Sequence, residues 1–160
     1  MFFKRRISVA DYCTRNLTPL FSEERETTWE AMRRASNDSQ LSAVDSQLFY
    51  NHIRAVFIEL MLIGITKNCS LDASFEARVF VMEYLKDRNL CEIDEISRNY
   101  NQAFGSVGPD GVRQMVLCLA DVLTQGKMQP ETMERLYVEF YAILRIFVDD
   151  FRSVKLVPSR

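Results

Sequence analysis

Apolar residues return at helical spacing along almost the whole of this 160-residue chain, and only five glycines and four prolines interrupt them. An amphipathic helix is stable only when its apolar face is covered, so the pattern predicts helices packed on helices. No alternating strand pattern runs longer than a few residues. The expectation is an all-α, single-domain helical bundle of about seven helices. Hydrophobic residues make up 48% of the chain and charged residues 26%, enough to form a core without metal or crosslink.

Punctuation residues place the helices. Ser8 with Asp11 resembles a capping box opening a first helix that ends before Pro19. Ser22 caps a second over residues 23–35, with Trp29 and Met32 on one face. The polar stretch 36–42 predicts a flexible joint, dividing an N-terminal helical extension (1–42) from a core (43–160). In the core, helices are expected at about 43–67, 72–86 and 92–104, then one ending at Thr124 and one from Pro130 to about Arg152. From Leu136 to Phe151 the last is apolar on nearly every side. Two readings stay open for it: a central helix, or the seam of a homodimer.

Two segments of the core align without gaps at a spacing of 57. Leu60 matches Leu117, Leu62 matches Leu119, Arg78 matches Arg135, Val81 matches Val138 and Tyr84 matches Tyr141. Ile65 with Val122, Leu71 with Met128, Val79 with Leu136 and Phe80 with Tyr137 are conservative. The alignment predicts a duplicated helix-loop-helix whose two copies bury each other.

The stretch Leu117-Cys-Leu-Ala-Asp-Val-Leu-Thr-Gln-Gly-Lys-Met-Gln-Pro-Glu, followed by an apolar helix, resembles the TerB-like helical family. That family includes tellurite-resistance TerB and is similar to the N-terminal domain of some membrane-anchored J-domain cochaperones. The resemblance covers roughly residues 57–146. It implies repeated units of a helix, an Asp-Gly metal loop and a Glu-bearing second helix. The loops here depart from that pattern: Gln125 precedes Gly126, Asn68 precedes Cys69, and Lys127 adds a positive charge. A hard cation needs several anionic oxygens, so these are degenerate metal loops. Asp72, Glu131 and Glu134 read as acids favoured in a helix's first turns.

Other chemistry is sparse. Cys13, Cys69, Cys91 and Cys118 form no CxxC pair and His52 is the single histidine, which argues against structural zinc and against a Cys-His or Ser-His-Asp set. Asp45, His52 and Glu59 recur every seven residues, about 10 Å apart along a helix, too far to share one metal. Gly105, Gly108 and Gly111 precede a helix without a strand before them, so they read as an interhelical turn rather than a phosphate loop. Asp149-Asp150 reads as a solvated helix end. The expectation is no catalytic residue, no cofactor and no metal ligand.

Glu59 and Arg145 are each the lone charge of an apolar segment. A buried lone charge is costly, which predicts that these two pair, within one chain or across a dimer. The net charge of −2 argues against a nucleic-acid partner. Lys4, Arg5 and Arg6, after Met1-Phe2-Phe3, offer a peripheral contact to an anionic membrane or acidic partner. No secretory signal is visible and residues 55–65, the longest apolar stretch, are too few to cross a bilayer. A soluble, cytoplasmic protein with reduced thiols is expected. The functional expectation is a non-catalytic helical interaction or scaffold module with a protein partner or itself as partner. The alternative is a small-molecule or metal-sensing domain with an apolar inter-helix pocket.

Overall fold

A computed structural model describes residues 4–105 and 110–159. The chain is an all-α bundle. In order it runs β1 (Arg5–Ser8), α1 (Val9–Leu17), a 3-10 turn (Thr18–Phe21), α2 (Glu23–Ala35), α3 (Ser39–Ser42), α4 (Ser46–Asn68), α5 (Leu71–Lys86), α6 (Cys91–Gly105), α7 (Gly111–Thr124), α8 (Pro130–Ser153) and β2 (Val154–Val157). Local chemistry starts the helices. Ser8, Ser22, Asp45, Ser70 and Asp110 each accept from a backbone N–H of the first turn, and Pro130 opens α8.

The central helix is α4, not α8. From His52 to Ile65 every α4 residue but Phe57 is buried, and α6 and α8 pack along its two sides. α4 is long and apolar enough to cross a membrane, but 78% of its most apolar window lies inside the protein. By contrast α8 buries one stripe: Thr132, Leu136, Phe140, Leu144, Phe147 and Phe151. Val138 and Ile146 remain 58% and 61% exposed. A 24-residue helix with apolar side chains all round has more such surface than its neighbours cover. Where α4 meets α8, a Cβ on Gly64 would stand 2.8 Å from Phe147 Cβ, so glycine permits the close crossing.

A small parallel sheet departs from the purely helical expectation. β1 pairs with β2 from Arg5↔Val154 to Ser8↔Val157, joining segments at opposite ends of the sequence. Lys4 Nζ donates to the Phe151 carbonyl at 2.6 Å, which engages one of the three basic residues, while Arg5 and Arg6 stay exposed on β1. Met1, Phe2 and Phe3 lie outside the described residues.

The stretch 36–42 is a clasp rather than a flexible joint. Asp38 is fully buried. Its Oδ1 accepts from Gln40 and Leu41 N–H, and its Oδ2 accepts from Gln129 N–H at 2.8 Å, reaching the start of α8. Leu41 is buried beside it. The first 42 residues are therefore bound into the bundle: α1 packs on α5, and α2 on α4.

The gapless repeat does not carry over to packing. Leu60, Ile65, Val81 and Tyr84 are buried, whereas their aligned partners Leu117, Val122, Val138 and Tyr141 are 45–58% exposed. Leu71 and Met128 reverse that order, at 84% and 3%. The α4–α5 joint is Cys69-Ser70 and the α7–α8 joint is residues 125–129. In the first helices the mismatch arises because α4 is covered nearly all round and α7 on one face; in the second, the unequal joints shift the covered positions by two residues from the alignment. Covered positions of α5 (Ala73, Ala77, Val81, Leu85) instead correspond to Thr132, Leu136, Phe140 and Leu144 of α8. The two hairpins still pack together, α4 on α8.

Candidate functional site

The polar stripe of α4 is spent on structure. Asp45 caps the helix by accepting from Leu48 N–H at 2.9 Å. Buried His52 places Nδ1 2.8 Å from the Tyr100 hydroxyl on α6, and burial holds its pKa below the usual histidine range. Glu59 is fully buried. Arg78 of α5 donates to both its carboxylate oxygens, at 2.9 and 3.1 Å, and Asn101 and Ser97 of α6 complete the shell.

The expected Glu59–Arg145 pair is therefore corrected. Arg145 is exposed on α8, on a face the bundle does not cover, while Arg78, nineteen residues on from Glu59, lies across the α4–α5 hairpin. An arginine on the facing helix of the same hairpin was the available signal. It was obscured because Arg78 also matched Arg135 in the apparent repeat.

Other candidates also resolve into structural contacts. Asp110 accepts from Val112 and Arg113 N–H and from the Tyr137 hydroxyl, so the amides at the start of α7 face a carboxylate of the chain itself. A Cβ on Gly111 would collide with Phe104 at 2.7 Å; Gly108 lies outside the described residues. The Tyr12 hydroxyl donates to Asp150 at 3.0 Å and Arg152 lies 3.2 Å from Asp149. Glu134 pairs with Arg113 at 3.2 Å, while Asp72 and Glu131 sit in first helical turns. Among the described residues no three His, Cys, Asp or Glu side chains gather to hold a metal ion. All four cysteines are free, and burial pushes the Cys13 thiol up to about 12.

What the fold leaves open is a groove between α2 and α8. Buried Arg54 pins α2 to α4: it pairs with Glu26, donates to the Leu20 carbonyl at 3.0 Å, and lies over the rings of Phe21, Trp29 and Tyr50. α8 packs along a neighbouring face of α4. Between them runs a cleft of about 570 Å³ lined by Trp29, Met32 and Phe57 on one side and Ile143, Ile146 and Phe147 on the other. A second cleft of about 210 Å³ continues it through the shared residues Met32 and Glu139 toward Arg135 and Leu136. The low-numbered end of α2 faces the high-numbered end of α8, so the two walls run antiparallel.

The groove's ends differ. At one, Arg135 donates to the Ala35 carbonyl at 3.4 Å, and the Asp38–Gln129 clasp holds the neighbouring backbone. At the other stand Arg15 and Arg25. Neither belongs to an ion pair among the described residues. Glu139, in the middle, has its pKa raised by burial, with Arg135 opposing the rise. Trp29 and Met32 share one helix face in the sequence, but the groove is not legible there, because its α2 and α8 walls lie about a hundred residues apart.

The fold and this groove together define a helical bundle with an open apolar cleft. No protein-family model matches the sequence, and no curated protein or solved structure matches it either.

Proposed function

We propose that this chain is a non-catalytic helical interaction module, TerB-like in its helical plan and with metal loops that have lost their ligands, and that it engages a protein partner through the α2–α8 groove. The observation that carries the reading is the uncovered apolar surface of α8. Ile146 is 61% exposed at the lip of a cleft floored by Phe57 and Phe147, and contiguous exposed apolar surface marks interaction sites. Glu59 and His52, the groups with most capacity for acid-base work, are instead held by Arg78 and Tyr100. Val138 and Tyr141, also exposed on α8, offer a second copy of the chain a surface for a homodimer.

Position-specific crosslinking tests this. With a benzophenone amino acid at Ile146, in cells that make the chain natively, a protein adduct should form. The same probe at Leu71, 84% exposed on α5, should not give it. Adducts of one chain to another would assign the groove to self-association. Equal labelling at both positions, or none at Ile146, overturns the reading.

A further inference from the structure

A bundle normally closes by bringing neighbouring helix axes to about 8–10 Å, with ridges of each in grooves of the other. α2 and α8 do not close in this way. α2 presents Trp29 and Met32, and α8 presents Ile143 and Ile146, toward a shared gap. Both pairs are spaced three apart, one face of a helix. Up to the Arg135–Ala35 bridge the lining runs from Arg25 to Ala35 on α2 and from Arg135 to Phe147 on α8. At 1.5 Å per residue those spans are roughly 15 and 18 Å, about three helical turns. The gap thus has the length and lining of a helix-packing surface from which one helix is missing.

Charge gives the missing helix a direction. Arg15 and Arg25 both line the end of the cleft away from that bridge, and neither has an ion-pair partner among the described residues. Arg25 is half-buried, so an anion placed there is screened less than one in open solvent. The opposite end is bridged by Arg135 to Ala35, which blocks passage of a continuous chain. Resting on the interaction-module reading, we infer that the groove receives an amphipathic helix of about three turns from a protein partner. Its apolar stripe lies over Trp29, Phe57 and Ile146, and its acidic end meets Arg15 and Arg25. This is helix-in-groove recognition with i, i+3, i+4, i+7 anchors.

Trp29, the only tryptophan of the chain, lines the cleft and reports occupancy. The test titrates the full chain with a synthetic twelve-residue helical peptide carrying leucines at i, i+3, i+4 and i+7 and two glutamates at one end. Trp29 emission and anisotropy of a labelled peptide are followed together. A lysine-for-glutamate peptide and dodecanoate are the comparison probes. Saturable binding of the acidic peptide is expected, at least tenfold weaker for the lysine peptide and for Ile146→Asp. The double variant Arg15→Glu, Arg25→Glu should reverse the preference toward the lysine peptide. Circular dichroism melting of each variant checks that the fold is kept; Ile146 and Arg15 are exposed and Arg25 is half-buried.

Equal binding of the two peptides, or acidic-peptide binding untouched by Ile146→Asp, overturns the inference. So does saturable dodecanoate binding without peptide binding, which would make the groove a site for a small amphiphile. A protein adduct at Ile146 combined with no acidic-peptide binding would leave the interaction module standing and remove only the acidic helix.

Discussion

Arg78 reaches from α5 to α4 and places one guanidinium nitrogen on each oxygen of the Glu59 carboxylate, at 2.9 and 3.1 Å. Glu59 has no exposed side-chain surface, whereas Arg78 keeps about a third of its own. The two ends of this pair therefore respond differently to removal. Arg78→Met strands an anion in the core and should cost about 3 kcal/mol, the usual scale for breaking a buried pair. Arg145→Met, at the exposed site first expected to hold the partner, should stay within about 0.5 kcal/mol. Urea unfolding of both variants decides; equal losses would contradict the assignment.

Gly64 lets α4 cross close to α8 at Phe147. In an exposed helix, Gly→Ala gains about 1 kcal/mol from propensity. Here the added methyl would sit 2.8 Å from Phe147 Cβ, a backbone-proximal atom that moves only if α8 moves. Overpacking should win, with a net loss of about 1–3 kcal/mol. Thermal melting of Gly64→Ala measures the sign directly, and a raised melting temperature would show that the crossing yields.

Asp38 ties the α2–α3 corner to the start of α8. Asp38→Ala removes a cap worth about 1 kcal/mol and leaves the Gln129 N–H without its acceptor. A combined loss of about 2 kcal/mol is expected. Amide exchange should speed at Gln40, Leu41 and Gln129 together. Acceleration at Gln40 and Leu41 alone would mean that the link to Gln129 carries no load.

His52 predicts an acid-sensitive window. Burial lowers its pKa from 6.5, so between the folded value and 6.5 the unfolded chain binds more protons. Stability is then fully present above about pH 6.5 and declines as the pH falls through the folded value. His52→Gln removes that proton uptake, so its loss of stability from pH 7 to pH 5 should be shallower than that of the parent chain. Parallel curves would exclude His52 as the source. Asp38 also has a lowered pKa, because backbone donors from Gln129, Leu41 and Gln40 outweigh its burial. Its loss therefore comes at lower pH.

The cap residues Ser8, Ser22 and Ser70, together with Pro130 and the apolar periodicity, determined the helices and their class, because capping and burial of a stripe are local consequences of side-chain spacing. They could not determine which apolar faces meet. Apolar residues surround α8, but tertiary packing covers only the stripe from Thr132 through Leu136, Phe140, Leu144 and Phe147 to Phe151 and leaves Val138 and Ile146 outside. Glu59 took Arg78 rather than Arg145 because helix rotation about the α4–α5 joint sets which cation faces it. The β1–β2 sheet and the α2–α8 groove depend on residues about a hundred or more apart in sequence. Such contacts form only after the chain has folded back on itself, and no local pattern encodes them.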